Sequence, residues 1–445
     1  MGEPSFWQQQ AETRPTRARL PGDREADVCI VGAGLTGLWT AYELKRAAPQ
    51  LEVVVLEAEF AGFGASGRNG GWVLGELAGS SERWLARGGP DGAQAMTVAI
   101  RATVDEVGAV VAREGIECDF VKNGTLALGR SEPQLERLRA RRLPDESWLD
   151  GAEVRHRVMA AGARGAVFSP HCARVQPACL VQGLAEATER AGATIFEHSP
   201  VLAIGPGVAR TAAGTVRARY VVRATEGYTA GLPGLHRRLL PMNSSMIITE
   251  PLGDEAWARI GWAGAETLRD EAHVFVYLQR TADGRIAIGG RGVPYRYGSR
   301  TDREGPVPAA TVRELRARLV SLFPVCAQAR IDGAWHGVLG VARDWMPGVE
   351  LDRQSGLAWA GGYVGEGVAA ANLAGRTLRD LILERDSELT RLPWVGARAR
   401  DWEPEPLRFL GARSLYGLYR IADSLESRRG RPSAVARLAD RVTGR

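Results

Sequence analysis

An apolar run at residues 26–31 (A-D-V-C-I-V) leads directly into Gly32-Ala33-Gly34-Leu35-Thr36-Gly37, and a helical pattern follows to about Ala48. A second apolar run, residues 51–57 (L-E-V-V-V-L-E), completes one β-α-β unit. In G-x-G-x-x-G after a strand, the first glycine makes the tight turn. The second lets backbone approach a pyrophosphate, and the third lets helix pack on strand. The helix start offers free N–H groups and a dipole to an anion. Glu57 stands twenty residues beyond Gly37. A carboxylate there accepts hydrogen bonds from both ribose hydroxyls and repels a 2′-phosphate. Gly32, Gly34, Leu35, Thr36, Gly37, Glu57 and the neighbouring Ala58 are thus candidate dinucleotide contacts.

Two further glycine clusters go beyond what a nicotinamide enzyme needs. Residues 64–71 read Gly-Ala-Ser-Gly-Arg-Asn-Gly-Gly. Gly67, Gly70 and Gly71 let the backbone lie against a flat ring or a diphosphate. Ser66 can donate to phosphate, and Asn69 can donate and accept. Arg68 can meet a phosphate or a substrate carboxylate in bidentate fashion, or form a structural ion pair. Residues 361–368 read Gly-Gly-Tyr-Val-Gly-Glu-Gly-Val and precede a helix of small residues, expected over 366–384. Gly362, Gly365, Glu366, Gly367 and Val368 would place a helix start beside a flavin, where its dipole stabilises negative charge developing on reduction.

Taken in this order, the three motifs resemble the D-amino-acid-oxidase-like FAD-dependent oxidoreductases, and most of all their gamma-glutamylputrescine oxidase branch. The resemblance spans roughly residues 5–385. It implies an α/β (α+β) fold: a Rossmann-like FAD-binding domain interrupted by an antiparallel-sheet substrate domain, with a C-terminal helical tail. The expected division is an arm at 1–24, a nucleotide domain at 25–80, 165–230 and 330–385, a substrate domain at 81–164 and 231–329, and an Arg-rich extension at 386–445. The resemblance also implies extended FAD, with Val201 beside the adenine and Ala224 and Thr225 near the pyrophosphate. The implied reaction oxidises the C–N bond of an amine or amino acid. Hydride passes to flavin N5, the imine hydrolyses, and O2 is reduced to H2O2.

Two departures qualify that expectation. Relatives that attach flavin through cysteine carry it ahead of the last glycine motif, and residues 333–338 (G-A-W-H-G-V) have none. Non-covalent FAD is therefore expected. Some relatives place a lysine over the flavin to activate oxygen. Of 57 basic residues here only Lys45 and Lys122 are lysine, on a nucleotide-domain helix and a distant strand. A same-fold dehydrogenase with another acceptor thus stands beside the oxidase, as does a flavin-binding subunit docked through its tail. A flavin hydroxylase suits the 64–71 loop less well.

Substrate contacts are less legible. Arg291 is a candidate carboxylate anchor, and Arg68 a second. His336 could keep a substrate amine neutral. Trp72, Tyr277, Trp262 and Tyr363 could wall a pocket for an amine cation, or belong to the core. His171 and Cys179 alone make no metal site.

The formal net charge of +5 would hint at nucleic acid, but residues 391–445 hold twelve arginines against six acids. The body is nearly neutral, so no nucleic-acid partner is expected. Five scattered cysteines and the lack of a leader pattern or long apolar run suit a cytoplasmic protein without a transmembrane segment.

Overall fold

The computed structural model describes residues 4–11, 16–290, 295–301 and 306–443. One sheet is built on the glycine-motif unit, and its strands run in the order Gly348–Asp352, Leu357–Gly361, Thr215–Arg223, Arg24–Val31, Val53–Leu56, Thr194–Phe196. The inner pairings are parallel. Parallel neighbours require crossovers, and helices cover the sheet accordingly. Val53 to Leu56 are buried throughout, as a strand covered on both faces must be. Val28, Ile30, Val53 and Val55 pack on one side with the helices Leu35–Ala47, Pro177–Arg190 and Gly367–Ile382. Cys29, Val31, Val54 and Leu56 pack on the other.

The small residues before and around Gly375 are there for close approach. A Cβ on Gly375 would lie 2.8 Å from the Trp39 backbone, so two helices cross in near contact. The long helix Ser81–Glu114, expected with the substrate domain, instead buries Met96, Ile100, Val104 and Val107 in this same core.

The second sheet runs Ile331–Val341, Leu240–Thr249, Ile286–Gly290, Tyr277–Arg280, Thr267–Asp270, Thr125–Gly129, Gly165–Ser169, Ser147–Asp150. It is antiparallel except where Thr125–Gly129 meets Thr267–Asp270. Gly165–Ser169 and Ile331–Val341 were expected with the nucleotide unit. Their ladders put them in this second sheet, so the chain changes sheets later than the expected division.

The arm is more than a polar leader. Its helix Phe6–Gln10 buries Phe6 and Trp7 against Met246, Ile248 and Trp335. The tail is likewise part of the fold. Trp394 is fully buried, and Trp402 donates its indole N–H to the Val341 carbonyl at 2.7 Å. Arg408, 2% exposed, pairs with Glu405 at 3.1 Å. From the helix Leu407–Arg429, Asp423 accepts the backbone N–H groups of His273 and Val274. Glu426 meets His273 and Arg137. His273, Asp423 and Glu426 have a metal-like spacing, but both carboxylates are engaged in holding the tail. The tail's basicity is partly local compensation, since Arg398 pairs with Glu350 and Arg420 with Glu314. No helix among the described residues is long and apolar enough to cross a membrane.

Candidate active site

The first glycine turn is shaped by contacts that leave no room for a side chain. Gly32 has φ 108°, and a Cβ there would lie 2.7 Å from the Ala224 oxygen. Ala224 and Thr225 therefore lie against the turn. A Cβ on Gly37 would sit 1.9 Å from the Gly32 oxygen. The helix Leu35–Ala47 starts at Gly34 without a side-chain cap of its own. Ser66 Oγ accepts the Leu35 N–H at 2.8 Å, which brings the second glycine loop to this helix start.

Glu57 accepts the Ala33 N–H at 2.7 Å through one oxygen and the Glu59 N–H at 3.0 Å through the other. Each oxygen keeps a lone pair for a hydroxyl. Burial raises this carboxyl above its usual range, and the backbone donors oppose the shift. Ala58 is exposed beside it. The Ser199 N–H donates to the Glu57 carbonyl at 2.7 Å, which carries Val201 to the same end of the sheet.

In the second loop, Asn69 turns out to be scaffold. Its amide donates to the Ser66 carbonyl and accepts the Gly71 N–H at 2.7 Å. The arm grips the same loop: Ser5 Oγ donates to the Gly67 carbonyl at 2.7 Å and the Trp7 indole to the Asn69 carbonyl at 3.0 Å. Nothing in the arm's composition signalled this. Arg68 is 2% exposed and forms no ion pair among the described residues. Its Nε donates to the Phe63 carbonyl at 2.8 Å, and its Nη2 is buried without a hydrogen-bond partner. Burial pulls its pKa down. A desolvated guanidinium with an unmet donor is costly unless a ligand supplies the acceptor. The structural ion pair considered from sequence is therefore not formed.

The third motif closes on a residue that sequence reading missed. Glu226 accepts the N–H groups of Gly362 at 2.9 Å, Tyr363 at 3.3 Å and Gly340 at 3.2 Å. Gly362 thus spends its N–H on Glu226 rather than on a cofactor. Burial pushes the Glu226 carboxyl up to about 7 against the pull of those donors. Tyr363 is buried and hydroxyl-bonded to Thr36, so it packs between motifs and does not face a substrate. Gly365 has φ 111°, and Glu366 begins the helix Gly367–Ile382 without capping it, which leaves the N–H groups near Gly367 and Val368 for an anion or a flavin edge.

The ladder register decides which roof residues face the loop. Gln279 donates to the Gly70 carbonyl at 2.8 Å, and Trp335 donates to the Arg68 carbonyl at 2.8 Å. Tyr277, Gln279, Met246 and Trp335 share this face by alternation. His336 points to the opposite face with its ladder partner Ser245, whose Oγ is 2.9 Å from Nδ1. That face carries Ile247 and is covered by Leu315 and Leu319 of the helix Ala309–Leu322. The geometry therefore removes His336 from substrate chemistry and makes it a bonded core histidine. Of the four expected aromatics, Trp72 and Tyr277 come together edge-on at 6.2 Å. Trp262 stacks on Phe323 in the far core. Arg291 lies outside the described residues. Neither lysine is near the loops: Lys45 donates to the Pro49 and Leu51 carbonyls, and Lys122 pairs with Asp105.

Two glycine-flanked helix starts, turns closed to any Cβ, a ribose-suited carboxylate and a buried guanidinium with one unmet donor form a set that fits FAD. The family model described as FAD dependent oxidoreductase matches residues 27–381. The chain belongs to this family. It is 31% identical over 386 residues to the gamma-glutamylputrescine oxidoreductase of Escherichia coli (strain K12), covering 82% of this chain and 86% of that one. Among solved structures it superposes on glycine oxidase from Geobacillus kaustophilus with a TM-score of 0.72 and 22% identity, covering 85% of this chain and all of the other. L-proline dehydrogenase from P. horikoshii follows at TM-score 0.68 and 18% identity, covering 84% and 98%. The protein is thus an FAD-dependent oxidoreductase in which residues 382–445 lie outside the family match.

Proposed function

We propose that this oxidoreductase oxidises the C–N bond of a primary or secondary amine or an amino acid, with O2 taking the electrons to give H2O2. Bound FAD supplies the hydride acceptor at N5. The carrying observation is the Trp72–Tyr277 corner, set directly over the second glycine loop. A Cβ on Gly70 would lie 2.7 Å from the Tyr277 ring, so the roof and the loop meet here. An aromatic corner stabilises an arriving amine cation and excludes water from the reacting carbon. Arg68, with its unmet Nη2, offers positive charge to an electron-rich group beside the same loop. The relatives named for a glutamylputrescine, glycine and proline support amine or amino-acid chemistry.

Non-covalent attachment is the reading the thiols support. Burial pushes Cys29, Cys118 and Cys172 up to about 12 and Cys326 to about 11, so none of these four is a ready thiolate. A second reading, a dehydrogenase with a non-oxygen acceptor, is favoured by the two lysines being engaged elsewhere. One experiment separates them. An amine panel is added to the FAD-loaded protein without oxygen, and air is then admitted. Bleaching followed by recovery with peroxide supports the oxidase. Bleaching that persists in air supports the dehydrogenase. No bleaching by any amine or amino acid defeats both.

A further inference from the structure

The tail helix Leu407–Arg429 lies outside the family match and has two unlike sides. Its inner side carries Arg408, Ala412, Tyr419, Ala422 and Glu426, all buried. Its outer side carries Leu407, Leu410, Ser414, Gly417 and Ile421, spaced by three and four residues and therefore aligned in one stripe. Leu407 is 60% exposed, Leu410 55% and Ile421 52%. A Cβ on Gly411 or Gly417 would meet nothing within 4 Å beyond the helix backbone, so no described residue lies over the stripe at these points. Three large apolar side chains thus stand on a convex surface that the rest of the chain leaves uncovered.

The charge around this stripe has one sign. Arg413 and Arg420 stand exposed on its flank, and Arg428 and Arg429 continue it to the helix end. Arg431 and Arg437 follow, exposed, in the turn and the helix Ala434–Thr443. Arg420 shares Glu314 at 3.3 Å, whereas Arg428, Arg429, Arg431 and Arg437 form no ion pair among the described residues. Between residues 407 and 440 no acid is exposed. Asp423 accepts two backbone N–H groups, Glu426 meets His273 and Arg137, and Asp440 accepts the Tyr419 hydroxyl at 2.8 Å. The acids of this segment hold the tail together and to the body, and its cations face outward.

Charge and apolarity together restrict the partner. A nucleic acid would meet the arginines and leave the leucines wet. A second copy would bring two arginine-rich faces together. An anionic bilayer meets both demands, with head groups on the guanidiniums and the apolar side chains in the acyl boundary. We propose that the outer face of the helix Leu407–Arg429 docks on an anionic lipid surface, with the helix lying in the plane of the interface. The carboxylates of Asp423 and Glu426 then tie the body to a helix held at the membrane.

The test uses the full FAD-loaded chain, sedimented with sucrose-loaded vesicles of two compositions. One is phosphatidylcholine alone, and the other is equal parts phosphatidylcholine and phosphatidylglycerol. The anionic vesicles should carry down about tenfold more protein. Leu410→Ser combined with Ile421→Ser should lower that binding about tenfold, and Arg428→Gln combined with Arg429→Gln should do the same. Arg428→Lys with Arg429→Lys keeps the charge and should bind as the parent does. Flavin content and melting temperature should match the parent in all three variants, because the altered side chains are exposed. Equal sedimentation with both vesicles, or none with either, would overturn the proposal. So would full binding by the Leu410→Ser, Ile421→Ser protein, which would show that the arginines read any acidic surface. A dimer in sedimentation velocity that this same double variant splits would also overturn it, since the face would then belong to a second copy.

Discussion

The Thr36 hydroxyl lies 3.1 Å from the Tyr363 hydroxyl and so joins the first and last glycine motifs across 327 residues of chain. Burial holds the Tyr363 phenol well above its usual pKa, which keeps it protonated and makes it a brace between motifs. Tyr363→Phe should strand the buried Thr36 hydroxyl and cost about 1–2 kcal/mol. Thermal unfolding measures this. A fall in turnover at saturating FAD with stability unchanged would instead assign the phenol a chemical role.

Glu226 should make stability fall as the solution becomes less acidic. Its carboxyl sits at about 7 in the fold against 4.5 as the ordinary value. The folded chain therefore holds this proton more tightly than the unfolded one. That contribution is fully present below about 4.5 and is lost as pH rises through about 7. Denaturant titrations across this window should show the slope, and Glu226→Gln should flatten it. An identical slope in the variant would assign it to other groups.

Arg68 is expected to cost the apo fold and serve the loaded one. Replacing it with Met removes a desolvated charge that has no acid partner among the described residues, so apo stability should change little or rise. FAD retention should weaken at least tenfold, read as the fraction of flavin passing an ultrafiltration membrane. Unchanged retention with a large loss of apo stability would make Arg68 purely structural.

The tail should detach at a single carboxylate. Burial pushes Glu426 up, but His273, the Ser433 N–H and Arg137 outweigh it and bring the carboxyl down to about 2. Its contribution is present above about 4.5 and is lost as pH falls toward about 2. Glu426→Ala leaves Arg137 and His273 without their shared partner and should cost roughly 3 kcal/mol. Limited proteolysis should then cut within residues 407–429 while the body stays intact. A cleavage pattern like that of the parent protein would count against this dock.

Much of the candidate cofactor site was legible because its signals are local. A tight turn, a helix start and a strand-end acid all fall within residues 26–57, and backbone geometry forces the residue types. Side-chain direction across ladders was not. Whether His336 or Trp335 faces the glycine loop depends on a one-residue register set by Ser245 and Met246, ninety residues away. Glu226 and the arm's grip on Gly67 were missed for the same reason, since each acts on partners distant in sequence.

By itself, the sequence determined the β-α-β unit, the glycine turns that admit no side chain, and the absence of a cysteine or lysine where some relatives place one. Those follow from residue chemistry at short range. Only the tertiary structure decided which charges are left unmet. Burial turned Arg68 from one arginine among 55 into a desolvated donor, and the fold drew the N–H groups of Gly340, Gly362 and Tyr363 onto the single carboxylate of Glu226. Desolvation and charge pairing depend on what surrounds a group in space, and chain order does not record that.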